Sequence, residues 1–174
     1  MTKIIISIDP ALSCGIAIFI LNEATASLYL IYSCVVSGDL HRICNFAKFL
    51  YTITGDDTEL YIEDYVFSKL KCNGANVNSE IRGILKWLYE ETTGNKPTVM
   101  AIGGWKKLIT GKGNASKQYV KEAIEKFGID CEYSNENGKL LKFKFDESDA
   151  IGIGMAGTKT RWIKFYNLRP PHCK

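Results

Sequence analysis

The chain has only two histidines, His41 and His172, and no Cys-x-x-Cys pair among its six cysteines. Zinc needs clustered nitrogen and sulfur ligands, so a structural zinc site is not expected. Scattered thiols (Cys14, Cys34, Cys44, Cys72, Cys131 and Cys173) suit a reduced, intracellular protein. No apolar run approaches the ~18 residues of a membrane span. The longest, 4–8 and 16–21, have strand length. The N-terminus lacks a signal peptide's basic region, long apolar core and small-residue cleavage site, and Asp9-Pro10 falls where that core would lie. An intracellular protein with no membrane partner is expected. The phosphate-loop pattern Gly-x-x-x-x-Gly-Lys-Ser/Thr is absent, and there is no internal repeat or low-complexity linker. A strong charge of one sign is missing too: 22 Lys and Arg against 19 Asp and Glu leave a net +3.

What is present is a globular composition. Of 174 residues, 46% are hydrophobic and 24% charged, which argues against disorder and for one compact domain over 1–174, with 168–174 as a tail. Residues 3–8, 16–21 and 28–36 read as β-branched strands joined by short loops, which predicts an antiparallel meander. Asp39 is placed to cap a helix over about 40–51. Residues 60–62 begin a fourth strand that can return parallel to the first after that helix. A helix is predicted over 79–91, a fifth strand over 98–102, a short helical turn over 105–109 and a helix over 116–127, with Gly128 at its stop. A hairpin over 131–145 and a last helix over 148–162, unusual for its glycines, complete the order. The fold class is α/β: a five-stranded mixed sheet with helices on both faces.

Four acids stand where acids are costly. Asp9 ends an apolar strand, Glu63 ends Leu-Tyr-Ile on the fourth, and Asp146 and Asp149, three apart, share one helix face. With the first and fourth strands adjacent, Asp9 and Glu63 meet, and the helix edge is free to approach them. Carboxylates so close repel one another unless a cation intervenes. Hard oxygen ligands favour magnesium or manganese, and two such ions can activate a water and stabilise the leaving oxygen of a phosphodiester. Taken singly, each acid has a plain alternative: a strand-end acid often starts a loop or caps a helix, and Asp-x-x-Asp is common on helices. Asp64 has the opposite strand phase to Glu63 and reads as solvent-facing.

At these positions the sequence resembles a known family. Ile-Ser-Ile-Asp9-Pro-Ala-Leu-Ser-Cys-Gly15 is similar to the first-strand motif of RuvC-type Holliday junction resolvases, and Tyr-Ile-Glu63-Asp-Tyr-Val-Phe67 to their second motif. Trp-Lys106-Lys-Leu-Ile-Thr-Gly111-Lys-Gly113-Asn-Ala-Ser-Lys117 resembles their lysine-bearing segment, and Asp146-Glu-Ser-Asp149-Ala-Ile-Gly-Ile their terminal Asp-x-x-Asp-Ala helix. Length and texture are most similar to the poxvirus branch. The resemblance implies an RNase H-like fold, a homodimer, and Mg²⁺-dependent cleavage of four-way and other branched DNA. Two Mg²⁺ per site are expected, replaceable by Mn²⁺, with no small-molecule cofactor. In poxviruses this activity resolves genome concatemers in the host-cell cytoplasm. The resemblance also implies that Asp9, Glu63, Asp146 and Asp149 hold the metals and that Lys106 sits near the scissile phosphate, with Lys117 a second candidate. Two departures stand out: Ala11 replaces a common glycine, and the segment around 135–144 is extended.

The modest net charge conceals a division. Residues 1–95 carry 7 basic and 11 acidic side chains, a net −4, and residues 96–174 carry 15 and 8, a net +7. Lys106, Lys107, Lys112 and Lys117 cluster around Gly111 and Gly113, where the backbone can approach phosphates closely. Lys142 and Lys144, with Lys139, alternate as on one strand face. These lysines are the expected DNA contacts, against the alternative of an ordinary solvated surface. Tyr65 and Phe67 are placed either to flank a junction opening or to pack. The reading is a junction-resolving endonuclease making paired nicks that leave 5′ phosphates. The alternatives are an RNase H-like nuclease acting on another branched DNA or RNA, and a nucleic-acid-binding protein without catalysis.

Overall fold

A computed structural model describes residues 1–64, 73–129, 132–134, 140–142, 145–159 and 164–167. Tyr65, Phe67, Lys139, Lys144 and the 168–174 tail lie outside the described residues. The elements run β1 (Thr2–Asp9), β2 (Ser13–Asn22), β3 (Ser27–Ser37), α1 (Leu40–Thr54), β4 (Thr58–Asp64), α2 (Asn73–Thr93) and β5 (Thr98–Ala101). Then come α3 (Ile102–Thr110), α4 (Lys117–Lys126), β6 (Glu132–Ser134), β7 (Leu140–Lys142), α5 (Phe145–Thr158) and β8 (Lys164–Asn167).

The main sheet has the order β5-β4-β1-β2-β3-β8. β1, β2 and β3 form the expected antiparallel meander, and β4 pairs parallel with both β1 and β5. The predicted five-stranded mixed sheet is present. β8 adds a sixth strand, parallel to β3, and Tyr166 on it stacks on Tyr29 at 4.9 Å between ring centroids. β6 and β7 pair separately as the expected hairpin.

Alternation along the buried strands divides the core into two layers. Ile5, Ala17, Phe19 and Leu21 face α3, α4 and α5. Ile6, Ile8, Ile16 and Ile18 face α1 and α2. The caps follow local chemistry. Asp39 accepts from the Arg42 backbone N–H at 2.8 Å to start α1, and Ser116 accepts from Tyr119 to start α4. Gly111 closes α3 in the left-handed region, at φ 80°.

Three helices begin earlier than their apolar period suggests, α5 among them, at Phe145 and not at 148, and it ends at Thr158. α2 starts at Asn73, through a polar first turn that carries no periodic signal. α3 starts at Ile102, and Gly103 and Gly104 in its first turn hide the helix from propensity. The close approach of Gly113 to the Gly103 carbonyl accounts for small residues there: a Cβ on Gly113 would stand 3.0 Å from that oxygen.

The glycines of α5 have a packing cause. A Cβ at Gly154 would stand 2.4 Å from the Phe19 ring, and one at Gly157 2.2 Å from the Tyr61 ring. α5 thus lies on the sheet closer than any side chain allows. Gly157→Ala should destabilise the fold by about 1–3 kcal/mol through overpacking. Gly83→Ala, on the exposed face of α2 with nothing within 4 Å of the new methyl, should stabilise it by about 0.5–1 kcal/mol. Urea denaturation of both variants checks the opposed signs.

Candidate active site

The sheet supplies two of the acids. Ile8 on β1 and Ile62 on β4 are parallel partners, so the next step along both strands sets Asp9 beside Glu63. Alternation sends both carboxylates to the face where Ser7 donates to the Ala150 carbonyl of α5 at 2.7 Å. α5 supplies the other two, Asp146 in its first turn and Asp149 one turn later. Gly15 lies opposite Asp9 across the β1–β2 pair. A Cβ at Gly15 would stand only 1.9 Å from the Asp146 carbonyl oxygen, so the bare glycine lets the start of α5 settle over Asp9. Asp64, in the opposite phase, pairs instead with Arg82 of α2.

Asp9 is 8% exposed and Asp149 3%, and their protonation reflects it. Burial holds the Asp9 carboxyl well above the ordinary carboxylate range, and repulsion from Glu63 and Asp149 adds to it. Glu63 is raised by burial, against hydrogen bonds from Trp105 and Asp9 that favour its ionised form. Burial also pushes Asp149 up to about 6, against the attraction of Lys117 and Lys106. Lys117 Nζ bridges the acids of α5, 2.7 Å from Asp146 Oδ1 and 3.7 Å from Asp149 Oδ2. Burial disfavours its ammonium form, but the Asp146 hydrogen bond and the surrounding acids outweigh that and raise its pKa.

The other lysines divide by position. Lys106 Nζ donates to the Ala115 carbonyl at 3.2 Å and stands 5.5 Å from the Trp105 ring centroid. Lys107 is exposed on α3. Lys112 lies in the loop after α3, its Nζ 5.2 Å from the Tyr119 ring centroid. Lys142 lies on β7. Among the described lysines that the sequence singles out, it is Lys117, at the start of α4, that is seen to contact the carboxylates.

As the side chains stand, no three described His, Cys, Asp or Glu residues converge as a ready ligand group. The donor chemistry nevertheless fits hard divalent cations. The donors are all carboxylate oxygens, Asp149 Oδ1 is buried without a hydrogen-bond partner, and a cationic lysine already bridges Asp146 and Asp149. The Lys117 side chain is 50% exposed, so it can swing away to admit an ion.

Two neighbours of the acids lie within the quoted motifs, which assign them no role. Trp105, fully buried, donates its indole N–H to Glu63 Oε1 at 2.8 Å. Glu147, also buried, accepts from Ser33 at 2.6 Å and ties α5 to β3. The adjacency of Trp105 to Lys106 is the sequence signal that points to the first; for Glu147 helical phase sets it off the face shared by Asp146 and Asp149, but not which residue it meets.

The meander, the parallel β4 beside β1 and a carboxylate-bearing terminal helix across them constitute an RNase H-like fold. Among solved structures it is similar to RuvC of Thermus thermophilus, at 17% identity and a TM-score of 0.68 over 91% of this chain and 96% of that one. It is similarly close to the same RuvC in complex with Holliday junction substrate, at 15% identity and 0.69, covering 91% and 95%. The Fowlpox virus resolvase with its substrate Holliday junction DNA matches at 17% and 0.57, covering 91% and 98%. No family model and no curated protein matches the chain in sequence.

A buried acid with a raised pKa makes the metal-free fold pH-sensitive. Between its ordinary value of 3.8 and about 6, Asp149 holds more proton in the folded state, so stability falls as pH rises through that window. At ~1.4 kcal/mol per pH unit this amounts to about 2–3 kcal/mol. In EDTA, Asp149→Asn should gain that much on wild type between pH 4 and pH 7, and parallel urea-denaturation profiles would contradict it.

Proposed function

We propose that the chain is a divalent-metal-dependent endonuclease that cuts four-way DNA junctions. The observation that carries this is the meeting of buried Asp9 and Asp149 with Glu63 and Lys117 in one cluster, within a fold shared with proteins solved in complex with Holliday junctions. Asp9, Glu63, Asp146 and Asp149 would hold Mg²⁺ or Mn²⁺, which supplies Lewis-acid activation of water and neutralises the departing oxygen. In-line attack at phosphorus expels the 3′ oxygen and leaves a 5′ phosphate.

The chain's own residues have separable tasks. Asp9 and Glu63, fixed by neighbouring strands, would present their carboxylates as ligands in a set relative position. Lys117, released from Asp146, meets the charge that develops on the phosphate, and Lys106 adds positive potential from α3. Lys107 and Lys112, with Lys142 and Lys144 from the hairpin segment, take the flanking phosphates. Two symmetric nicks need two sites, so the working form is a C2 homodimer of this one domain. The setting is intracellular. The poxvirus-like sequence texture suggests concatemer resolution in host-cell cytoplasm.

Asp9→Asn and Glu63→Gln should each lower junction cleavage in Mg²⁺ about 10³-fold or more while junction binding in Ca²⁺ is kept. Lys117→Met should cost ~10²-fold in the cutting step. Wild-type cutting by Asp9→Asn or Glu63→Gln would refute the ligand set. Competition among four-way junction, linear duplex and RNA–DNA hybrid tests the substrate, with paired nicks in the junction as the expected product. Lys107→Ala and Lys112→Ala should weaken binding and each lower the log–log salt slope by about 1.

A further inference from the structure

Glu63 makes one contact that the chemistry above leaves unassigned. β5 pairs with β4 so that Met100 lies beside Glu63, and α3 follows β5 directly. The first turn of α3 thereby drops Trp105 behind the carboxylate, where its Nε1–H donates to Oε1 at 2.8 Å. The far edge of the indole fits the notch left by Gly152 on α5; a Cβ there would stand 2.8 Å from Trp105 Cζ3. The ring is thus clamped between the strand that carries Glu63 and the helix that carries Asp146 and Asp149.

An unrestrained glutamate rotates about three side-chain torsions, and a metal ligand gains from losing that freedom before the ion arrives. An indole is suited to this task. It donates only, so it fixes which way the contact runs. It is neutral, so it does not compete with a cation as a lysine or arginine would. The indole ties one oxygen of Glu63, and the carboxylate's other hydrogen-bond partner, Asp9, is itself a residue of the site. A buried tryptophan needs a partner for its N–H in any case, and a purely structural role would make Glu63 merely that partner.

We propose that Trp105 is a positioning residue that holds the Glu63 carboxylate in its ion-accepting orientation. This rests on the nuclease reading above. Trp105→Phe keeps a ring against Gly152 and removes the N–H; Ile109→Val, a buried change on the same helix, controls for packing. Two midpoints are read, the Mn²⁺ concentration for half-maximal junction cleavage and that for half-maximal thermal stabilisation. Both should rise about ten-fold or more in Trp105→Phe, and remain within about two-fold of wild type in Ile109→Val. The wild-type protein supplies a further measurement that needs no stable variant at Trp105. Its Trp105 indole ¹H–¹⁵N resonance should move when Mg²⁺ is added, while that of exposed Trp87 stays in place. Unchanged midpoints in Trp105→Phe, an equal rise in Ile109→Val, or an indole resonance indifferent to Mg²⁺ overturns the role while wild-type cleavage leaves the nuclease reading intact. A wild type that neither cuts junctions nor is stabilised by Mn²⁺ overturns both.

Discussion

At Gly15 the backbone of β2 meets the Asp146 carbonyl so closely that a single methyl group would overlap it. Similar approaches recur along α5 at Gly152, Gly154 and Gly157, where an indole, a phenyl and a phenol ring fill the space that side chains would take. Close packing is usually discussed as a source of stability. Here it also sets geometry. The helix carries Asp146 and Asp149, the strands beneath carry Asp9 and Glu63, and the separation of the two layers is the separation of the carboxylates. Ser7, donating to the Ala150 carbonyl at 2.7 Å, and Ser33, donating to Glu147, tie the same helix to the sheet by hydrogen bonds, so that position depends on more than one contact.

Bringing acids together in a dry place is opposed by burial and by their mutual repulsion. The fold meets this with several partial remedies. Glu63 receives a neutral N–H from Trp105 and a hydrogen bond from Asp9. The acids of α5 receive Lys117. Asp149 Oδ1 receives nothing. A site optimised for the stability of the metal-free chain would not leave that oxygen buried and bare, nor hold Asp9 so far above its ordinary range. On the proposed reading, the cluster is electrostatically incomplete without more positive charge than Lys117 and Lys106 bring.

Much of this was legible in the residues. Alternation in 3–8 and 60–62, with a helix between them, places Asp9 and Glu63 on adjacent parallel strands and gives Asp64 the other face, where Arg82 meets it. The spacing of Asp146 and Asp149 puts them on one helix edge. What escaped were contacts that depend on tertiary proximity. The glycines of α5 looked like a weakness in a helix because propensity reports on an isolated segment, whereas the cause lies in Phe19, Tyr61 and Trp105, each distant in sequence. β8 is a four-residue edge strand whose partner, β3, is far back along the chain. The reach of Lys117 to the acids, where the resemblance puts Lys106 first and Lys117 second, follows from the packing of α4 against α5, a tertiary contact that no local pattern encodes.

The division of charge along the chain acquires a spatial meaning from the same geometry. The acid-leaning first 95 residues build the meander and β4, hence the floor of the site. The basic remainder builds α3, α4 and the hairpin; among its described lysines, Lys106 and Lys107 lie on α3, Lys117, Lys121 and Lys126 on α4 and Lys142 on β7. Lys106, Lys107 and Lys112 sit on or after α3, whose first turn is anchored to Glu63 through Trp105, so cation-bearing and anion-bearing elements are joined by one buried ring. Asp146 and Asp149 are the exception, acids delivered by the basic half, and they are the ones Lys117 bridges. A polyanion drawn to the lysines would compete for that ammonium and loosen its hold on Asp146 and Asp149 just where divalent cations could replace it. On the proposed reading, phosphate binding and metal loading are then coupled through Lys117, and the near-neutral total charge reflects two opposed fields kept a few ångströms apart rather than the absence of either.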